Sequence, residues 1–245
     1  MIEYQRGDVQ QWLTPNLEAF YVAMRVKEDK SREVLGIFDR PSESATGWKN
    51  IFVALRQRGV ENRGLLVADG IRYLEGSLAE IFLGTPLQKC VIHLKRNMLE
   101  RVRHGDNGVL AEDFREFFRT GDPHHTPSLG WEAWLAHCCR WREDYRSIKK
   151  LGNAPYYRYF FTYLNYHPRV QSMVYTTNWS ERLQGDFRRV LHMRGALPTE
   201  ESVIVLMVKT VMDKKPYFRA LPGIERANVL FPDDPGNFLD FLNNS

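Results

Sequence analysis

Asp69 stands directly before Gly70 at the end of the short apolar run Leu65-Leu66-Val67-Ala68. If that run is a strand, the carboxylate projects from its carboxyl end, the edge at which α/β proteins place their sites. A carboxylate there can hold a hard divalent ion such as magnesium, which takes oxygen ligands and keeps several waters. An Asp-Gly pair also makes a good strand-to-helix turn with the aspartate as N-cap, and both readings stand. Glu181 offers a second carboxylate in Thr176-Thr177-Asn178-Trp179-Ser180-Glu181-Arg182. Asn178 followed three residues later by Glu181 has capping-box spacing, while a glutamate in the first turn of a helix can also face a metal held elsewhere. Two divalent ions on clustered carboxylates are what in-line phosphodiester chemistry requires, one activating the attacking oxygen and the other stabilising the leaving one.

Cys90 and His93 form a Cys-x-x-His pair, half of a zinc site at most. His137 beside Cys138 could complete four ligands, but no second pair has ligand spacing, and a buried structural role is the expectation for Cys90 and His93. Nucleophilic and nucleotide-cradling chemistries find no support: neither a Gly-x-Ser-x-Gly elbow nor a P-loop is present. The formal net charge of +4 is too small to argue for nucleic acid by itself. Its distribution is more telling. Basic residues gather at Lys89, Lys95, Arg96, Arg101 and Arg103, at Arg140, Arg142, Lys149 and Lys150, and at Arg182, Arg188, Arg189 and Arg194, flanking the candidate carboxylates. Each cluster alone reads as a solvated helix face, but three around one site point to a phosphate-bearing substrate.

The elements that must position these groups follow from periodicity. The apolar run Leu17–Val26 and a second at 32–38, separated by a charged turn at 27–30, read as an antiparallel hairpin. Trp48, Ile51, Phe52 and Leu55 fall at i, i+3, i+4 and i+7 with Gly59 beyond, the pattern of an amphipathic helix with its C-cap. A strand at 64–68, a helix marked by Leu74, Leu78, Ile81 and Phe82, and a strand at 87–92 leading into a helix from about His93 complete the first part. This order implies an α/β fold with a mixed sheet, an antiparallel hairpin followed by parallel strands. Residues 94–172 carry only helical patterns, including 109–119 and 131–141. Tyr156, Tyr157, Tyr159, Phe160, Phe161, Tyr163 and Tyr166, interleaved with Arg158 and Arg169, form an aromatic stripe that is core in part, with stacking on unpaired bases as the other use. Helices at 179–191 and 200–212 precede a proline-punctuated tail. Hydrophobic residues make up 43% of 245, enough for a full-sized core. Three cysteines, an odd number with two adjacent, fit a reducing compartment. The lack of a membrane-length apolar run or a signal-peptide pattern leads us to expect a cytoplasmic protein.

The assembled residues resemble the Mutator-type transposases of bacterial insertion sequences, from about Leu17 to Pro232. The matching stretches are Arg32-Glu33-Val34-Leu35-Gly36, Val67-Ala68-Asp69-Gly70, residues 87–97 around Cys90 and His93, and residues 175–183 around Glu181. Phe187-Arg188-Arg189, Met193-Arg194-Gly195 and Glu200-Glu201-Ser202 continue the match in order. The resemblance implies a ribonuclease-H-like mixed-sheet core interrupted by an all-helical insertion: core at 1–95, insertion at 96–171, the final part of the core at 172–215 and a tail at 216–245. It implies two aspartates and a glutamate holding two Mg2+ (or Mn2+) ions, with Asp69 matching the second aspartate and Glu181 the glutamate. The implied substrates are mobile-element ends and target DNA, cut first by water and then joined by a DNA 3′-hydroxyl, by a homo-oligomer on bacterial nucleoid DNA, with no membrane partner. Lys95, Arg96, Arg182, Arg188 and Arg189 are the candidates for phosphate contacts. No residue matches the family's first aspartate: Glu3, Asp8 and Glu18 are the nearest carboxylates. The expectation is therefore a first strand clipped at its front and a missing N-terminal DNA-binding region. An inactive remnant that binds DNA or an intact transposase subunit, and a ribonuclease-H-like nuclease, are the alternatives.

Overall fold

The computed structural model describes residues 2–5, 17–26, 32–39, 44–61, 64–71, 73–149, 155–194, 197 and 199–213. The turn expected at 27–30, Asp8 and the tail at 216–245 lie outside the described residues, as do Lys150 and Gly195. The chain folds into two compact units, each assembled from separate stretches of sequence.

The first unit holds an antiparallel sheet of β1 (Ile2–Gln5), β2 (Leu17–Val26) and β3 (Arg32–Asp39) in the order β1-β2-β3. Ile2 pairs with Phe20 and Gln5 with Leu17, and the β2–β3 register shifts at Ala23/Met24. Helix α1 (Ala45–Gln57) starts where the Ser44 side chain accepts the Gly47 N–H at 3.0 Å. It buries Trp48, Ile51, Phe52 and Leu55, the four positions picked out by spacing. Gly59, at φ 85, takes the left-handed conformation that lets the chain leave the helix. Helix α2 (Leu74–Ile81) packs on α1: the Ser77 hydroxyl donates to the Ala45 carbonyl at 3.0 Å, and the Phe52 and Phe82 rings meet edge to face. Two later helices, α8 (Asn178–Arg194) and α9 (Glu200–Asp213), belong to the same unit. Leu183, Phe187 and Leu191, spaced i, i+4 and i+8 on α8, pack with Val203 and Met207 of α9 and Phe20 of β2. Burial of each large side chain in that cluster contributes roughly 1.5–3 kcal/mol.

The second unit contains β4 (Leu66–Ala68) and β5 (Leu87–Lys89), paired in parallel, followed by helices. The directions expected within each part are present, an antiparallel hairpin in the first unit and a parallel pair in the second. Among the described residues, hydrogen bonding defines a three-stranded and a two-stranded sheet. Strands of three residues offer few ladder groups, and those of β4 go to β5 and its flanks, Leu66 N–H to Pro86 O and Cys90 N–H to Ala68 O.

Beyond β5 every described element is helical. Helix α3 (Val91–Leu99) begins earlier than periodicity suggests, so residues 90–92 are not strand: Cys90 makes the last ladder bond and Val91 N–H turns away to the Tyr175 carbonyl. Next come α4 (Asn107–Phe117), α5 (Pro127–Trp141), α6 (Arg146–Lys149) and α7 (Pro168–Val174), with 3-10 turns at Pro155–Phe160 and Thr162–Asn165. Thr126 caps α5 and Pro127 occupies its first turn, where a missing N–H costs nothing. The aromatic stripe is core in part, with Tyr156, Tyr157 and Tyr159 half-buried. Phe160, Phe161, Tyr163 and Tyr166 are buried; Phe160, Phe161 and Tyr163 pack with Trp131, Trp134 and Trp141, and Arg158 is buried with its guanidinium over the Trp131 ring. Rings enclosed in this way are not presented to bases. At the heart of the unit, Asp113 of α4 accepts from His137 Nδ1 and Trp141 Nε1, both at 2.9 Å, and pairs with Arg140. No helix among the described residues is long and apolar enough to cross a membrane.

Candidate functional site

Asp69 leaves the end of β4 with its carbonyl accepting the Ile71 N–H at 2.7 Å, a tight turn that turns the chain at Gly70. The next helix, α2, starts only at Leu74, behind Tyr73, so Asp69 is not its N-cap. Its carboxylate is used otherwise. Oδ1 accepts the Thr177 hydroxyl at 2.6 Å and lies 3.1 Å from His93 Nδ1.

His93 reaches this point because α3 begins at Val91, which places Cys90 at the N-cap and His93 in the first turn. Cys90 is fully buried. Its sulfur accepts the Thr177 backbone N–H at 3.4 Å and lies 3.6 Å from the Thr176 hydroxyl. One ligand atom each from Asp69, Cys90 and His93 lie within 4.8 Å of one another, and this is the metal-capable group found among the described residues. His137 and Cys138 do not join it: His137 is held by Asp113, and burial pushes the Cys138 thiol up to about 12.

The electrostatics follow from these contacts. Burial works to raise the Asp69 pKa, but the His93 imidazole 3.1 Å away and the Thr177 hydrogen bond outweigh it and hold the carboxyl below its ordinary range. Burial likewise opposes ionisation of Cys90, and the contacts with His93 and Thr177 bring it down to about 7. For His93 the Asp69 contact leads, followed by Cys90, and together they raise it to about 10 against the cost of burial. The group is therefore a compact set of an anion, an ionisable thiol and an imidazole, arranged around one helix N-terminus.

Glu181 sits in the first turn of α8, half-buried. Asn178 is the first residue of that helix rather than the residue before it, so it is not the N-cap of a box with Glu181. Thr177 precedes the helix and commits its hydroxyl to Asp69. No role was read for Thr177 from sequence, since a hydroxyl donor to a carboxylate 108 residues away leaves no local signal. Among the basic candidates, Lys95 is half-buried and Arg96 exposed on α3, while Arg182, Arg188 and Arg189 are exposed on α8, the last 3.5 Å from Asp186. Lys89 departs from its expected place in a surface cluster. It is fully buried, with Nζ 3.5 Å from the centre of the Tyr156 ring.

A link between Asp69 at a strand end and Thr176-Thr177 at the start of a Thr-Thr-Asn-x-x-Glu helix joins two stretches distant in sequence. The model of the family described as "Transposase, Mutator family" matches residues 14–220, which takes in both. The chain belongs to the Mutator family of transposases. It is 28% identical over 194 residues to the transposase for insertion sequence element ISRM3 of Rhizobium meliloti, covering 78% of this chain and 46% of that protein. Against the transposase for IS905 of Lactococcus lactis it is 24% identical over 191 residues, covering 78% and 47%. A probable insertion-sequence transposase of Corynebacterium diphtheriae shares 26% over 203 residues, covering 82% and 58%. This Mutator-family chain thus spans about half the length of the curated relatives it matches.

Proposed function

We propose that the chain carries catalytic groups of a DNA transposase that cuts mobile-element ends and joins them to target DNA, on a ribonuclease-H-like core. The observation that carries the reading is the 2.6 Å hydrogen bond from Thr177 to Asp69. It ties the strand-end aspartate to the segment that leads, four residues on, to Glu181. Family membership and the insertion-sequence relatives support the reaction class.

Asp69 and Glu181 are the proposed metal ligands. Asp69 fits a hard cation in that its carboxyl is held ionised and fixed by two neighbours. Two Mg2+ or Mn2+ ions bound by such carboxylates supply activation of the attacking oxygen and charge stabilisation of the leaving oxygen. The protein's own contribution is positional. Thr177 orients Oδ1 of Asp69, His93 holds the same oxygen from the α3 side, and the hydrogen-bonded backbone at Thr177 keeps that donor in place. Exposed Arg96, Arg182, Arg188 and Arg189, with Lys95, are proposed to grip phosphates, and the active form is proposed to be a homo-oligomer.

The test is magnesium-dependent cleavage of a duplex carrying the element end. Asp69→Asn and Glu181→Gln should each abolish it while circular dichroism shows the parent's secondary structure. Cleavage retained in either variant would remove that residue from the metal site. Cleavage without any product joined to target DNA would assign the chain to a nuclease instead, and binding of element ends with no cleavage at all to a non-catalytic remnant.

A further inference from the structure

We propose that Asp69, Cys90 and His93 form a binding site for a single borderline-soft divalent cation, Zn2+ or Co2+, with the fourth coordination position open to water. The inference goes beyond the strand-cutting reading and shares Asp69 with it, so an ion held here would compete with Mg2+ for that carboxylate, while the thiolate signature tested below reports on this site alone. Hard magnesium takes oxygen donors, whereas one thiolate, one imidazole and one carboxylate are the donor set of zinc and cobalt.

The geometry supports a site of this size. Zinc bonds of about 2.3 Å to sulfur and about 2.0–2.2 Å to nitrogen and oxygen make tetrahedral donor separations of roughly 3.3–3.6 Å. His93 Nδ1 and Asp69 Oδ1 already stand 3.1 Å apart, and the donor atoms of all three residues lie within 4.8 Å of one another. Closing on an ion thus needs side-chain movements of about an ångström at most. Cys90 and His93, three residues apart, come from one helical turn, and Asp69 comes from the adjoining strand end, to which Cys90 N–H is bonded through Ala68 O. The spacing is therefore built into backbone rather than into a loop.

The surrounding contacts are those of a ligand shell. Thr177 donates its N–H to the Cys90 sulfur and its hydroxyl to Asp69 Oδ1, so one residue orients two of the three ligands. Outer contacts of this kind fix ligands and raise affinity. The charge balance is simple. The bound ion replaces the Cys90 S–H proton and the proton on the ligating nitrogen of His93, both released to solvent, and meets two anionic ligands and one neutral one.

Cobalt titration of the full chain, freed of metal by chelation, tests this directly. One equivalent of Co2+ should develop the near-ultraviolet thiolate-to-cobalt charge-transfer band and the intense visible bands of a tetrahedral ion, both bleached by Zn2+. Cys90→Ser should remove the charge-transfer band, His93→Asn should weaken Co2+ binding at least about tenfold, and Cys139→Ser, at an exposed thiol, should change nothing. A folded parent protein with no charge-transfer band would overturn the site, as would a band that survives Cys90→Ser and vanishes with Cys139→Ser. Should Cys90→Ser fail to fold, X-ray absorption of the zinc-loaded parent decides. One sulfur at about 2.3 Å among nitrogen and oxygen ligands is expected, and a shell without sulfur refutes the assignment.

Discussion

Thr177→Val isolates what holds Asp69. Valine matches threonine in shape, and Thr177 is 8% exposed, so the exchange keeps the packing and deletes one donor. That donor makes a 2.6 Å bond to an ionised carboxylate whose side chain is 23% exposed, shielded enough for the interaction to keep most of its strength. Hydrogen bonds to charged groups contribute about 1.5–3 kcal/mol, and a carboxylate that loses such a donor is less favoured over its protonated form, so the Asp69 pKa should rise. Because its folded pKa is depressed, Asp69 stabilises the fold above its ordinary value of 3.8 and loses that contribution as pH falls through the folded value. The variant should therefore be less stable than the parent at neutral pH by roughly 1.5–3 kcal/mol, and the two should converge in acid. Carbon-13 titration of the Asp69 carboxyl and urea unfolding at neutral and acid pH measure the two effects. Thr177→Ser, which keeps the hydroxyl, should titrate like the parent, and so should Thr176→Val, whose hydroxyl faces Cys90. An Asp69 titration unmoved by Thr177→Val would refute the claim that this bond, rather than His93 alone, sets the carboxylate.

Four further outcomes follow from the structure. A Cβ at Gly130 would lie 2.7 Å from Phe161 Cδ1, so Gly130→Ala should destabilise the helical unit by about 1–3 kcal/mol in urea unfolding followed by tryptophan fluorescence. Asp113→Ala leaves the buried His137 and Trp141 N–H groups without their acceptor and should cost about 2–6 kcal/mol. Burial, with Arg140 nearby, keeps the His137 pKa below its ordinary 6.5, so the unfolded chain takes up a proton there that the fold refuses. Stability should fall as pH drops below about 6.5, and His137→Asn should lose that part of the slope. Finally, if Arg188 and Arg189 grip phosphates, replacing both with alanine should lower the slope of log affinity for duplex DNA against log salt by about two. An unchanged slope would place them outside the contact.

Local spacing made much of the architecture legible. The four apolar positions of α1 and the Leu183, Phe187 and Leu191 row of α8 are helical in period, and those are the faces buried. The end of β5 was not legible, because Leu87-Gln88-Lys89-Cys90-Val91-Ile92 suits a strand as well as a helix start. The choice is made by distant bonds, Cys90 N–H to Ala68 and Val91 N–H to Tyr175. The division into two sheets has the same origin, since pairing partners are set by tertiary packing. In the site, Asp69 was marked by a short apolar run ending in Asp-Gly, and Cys90 with His93 by their spacing. Their union was not marked, because no periodicity links a strand end to a helix N-terminus twenty-odd residues on. Lys89 shows the same limit: a lysine ending a short strand, between Gln88 and Cys90, looks solvated until Tyr156 is seen lying over it.

The shared oxygen of Asp69 sharpens what its neighbours are for. A protonated His93 at 3.1 Å and a divalent cation on the same Oδ1 repel each other, so the ion-paired and metal-bound arrangements exclude one another unless His93 gives up its proton. Neutral His93 is then a ligand rather than a competitor, and Cys90 beside it loses the partner that favoured its thiolate unless the same ion replaces that partner. The choice of cation consequently decides which side chains of the turn stay engaged. An oxygen-seeking ion takes Asp69 and leaves Cys90 and His93 to each other, whereas a thiophilic ion draws all three together. If Asp69 holds a cation as proposed, the Cys-x-x-His pair standing against it therefore bears on which cation that carboxylate takes.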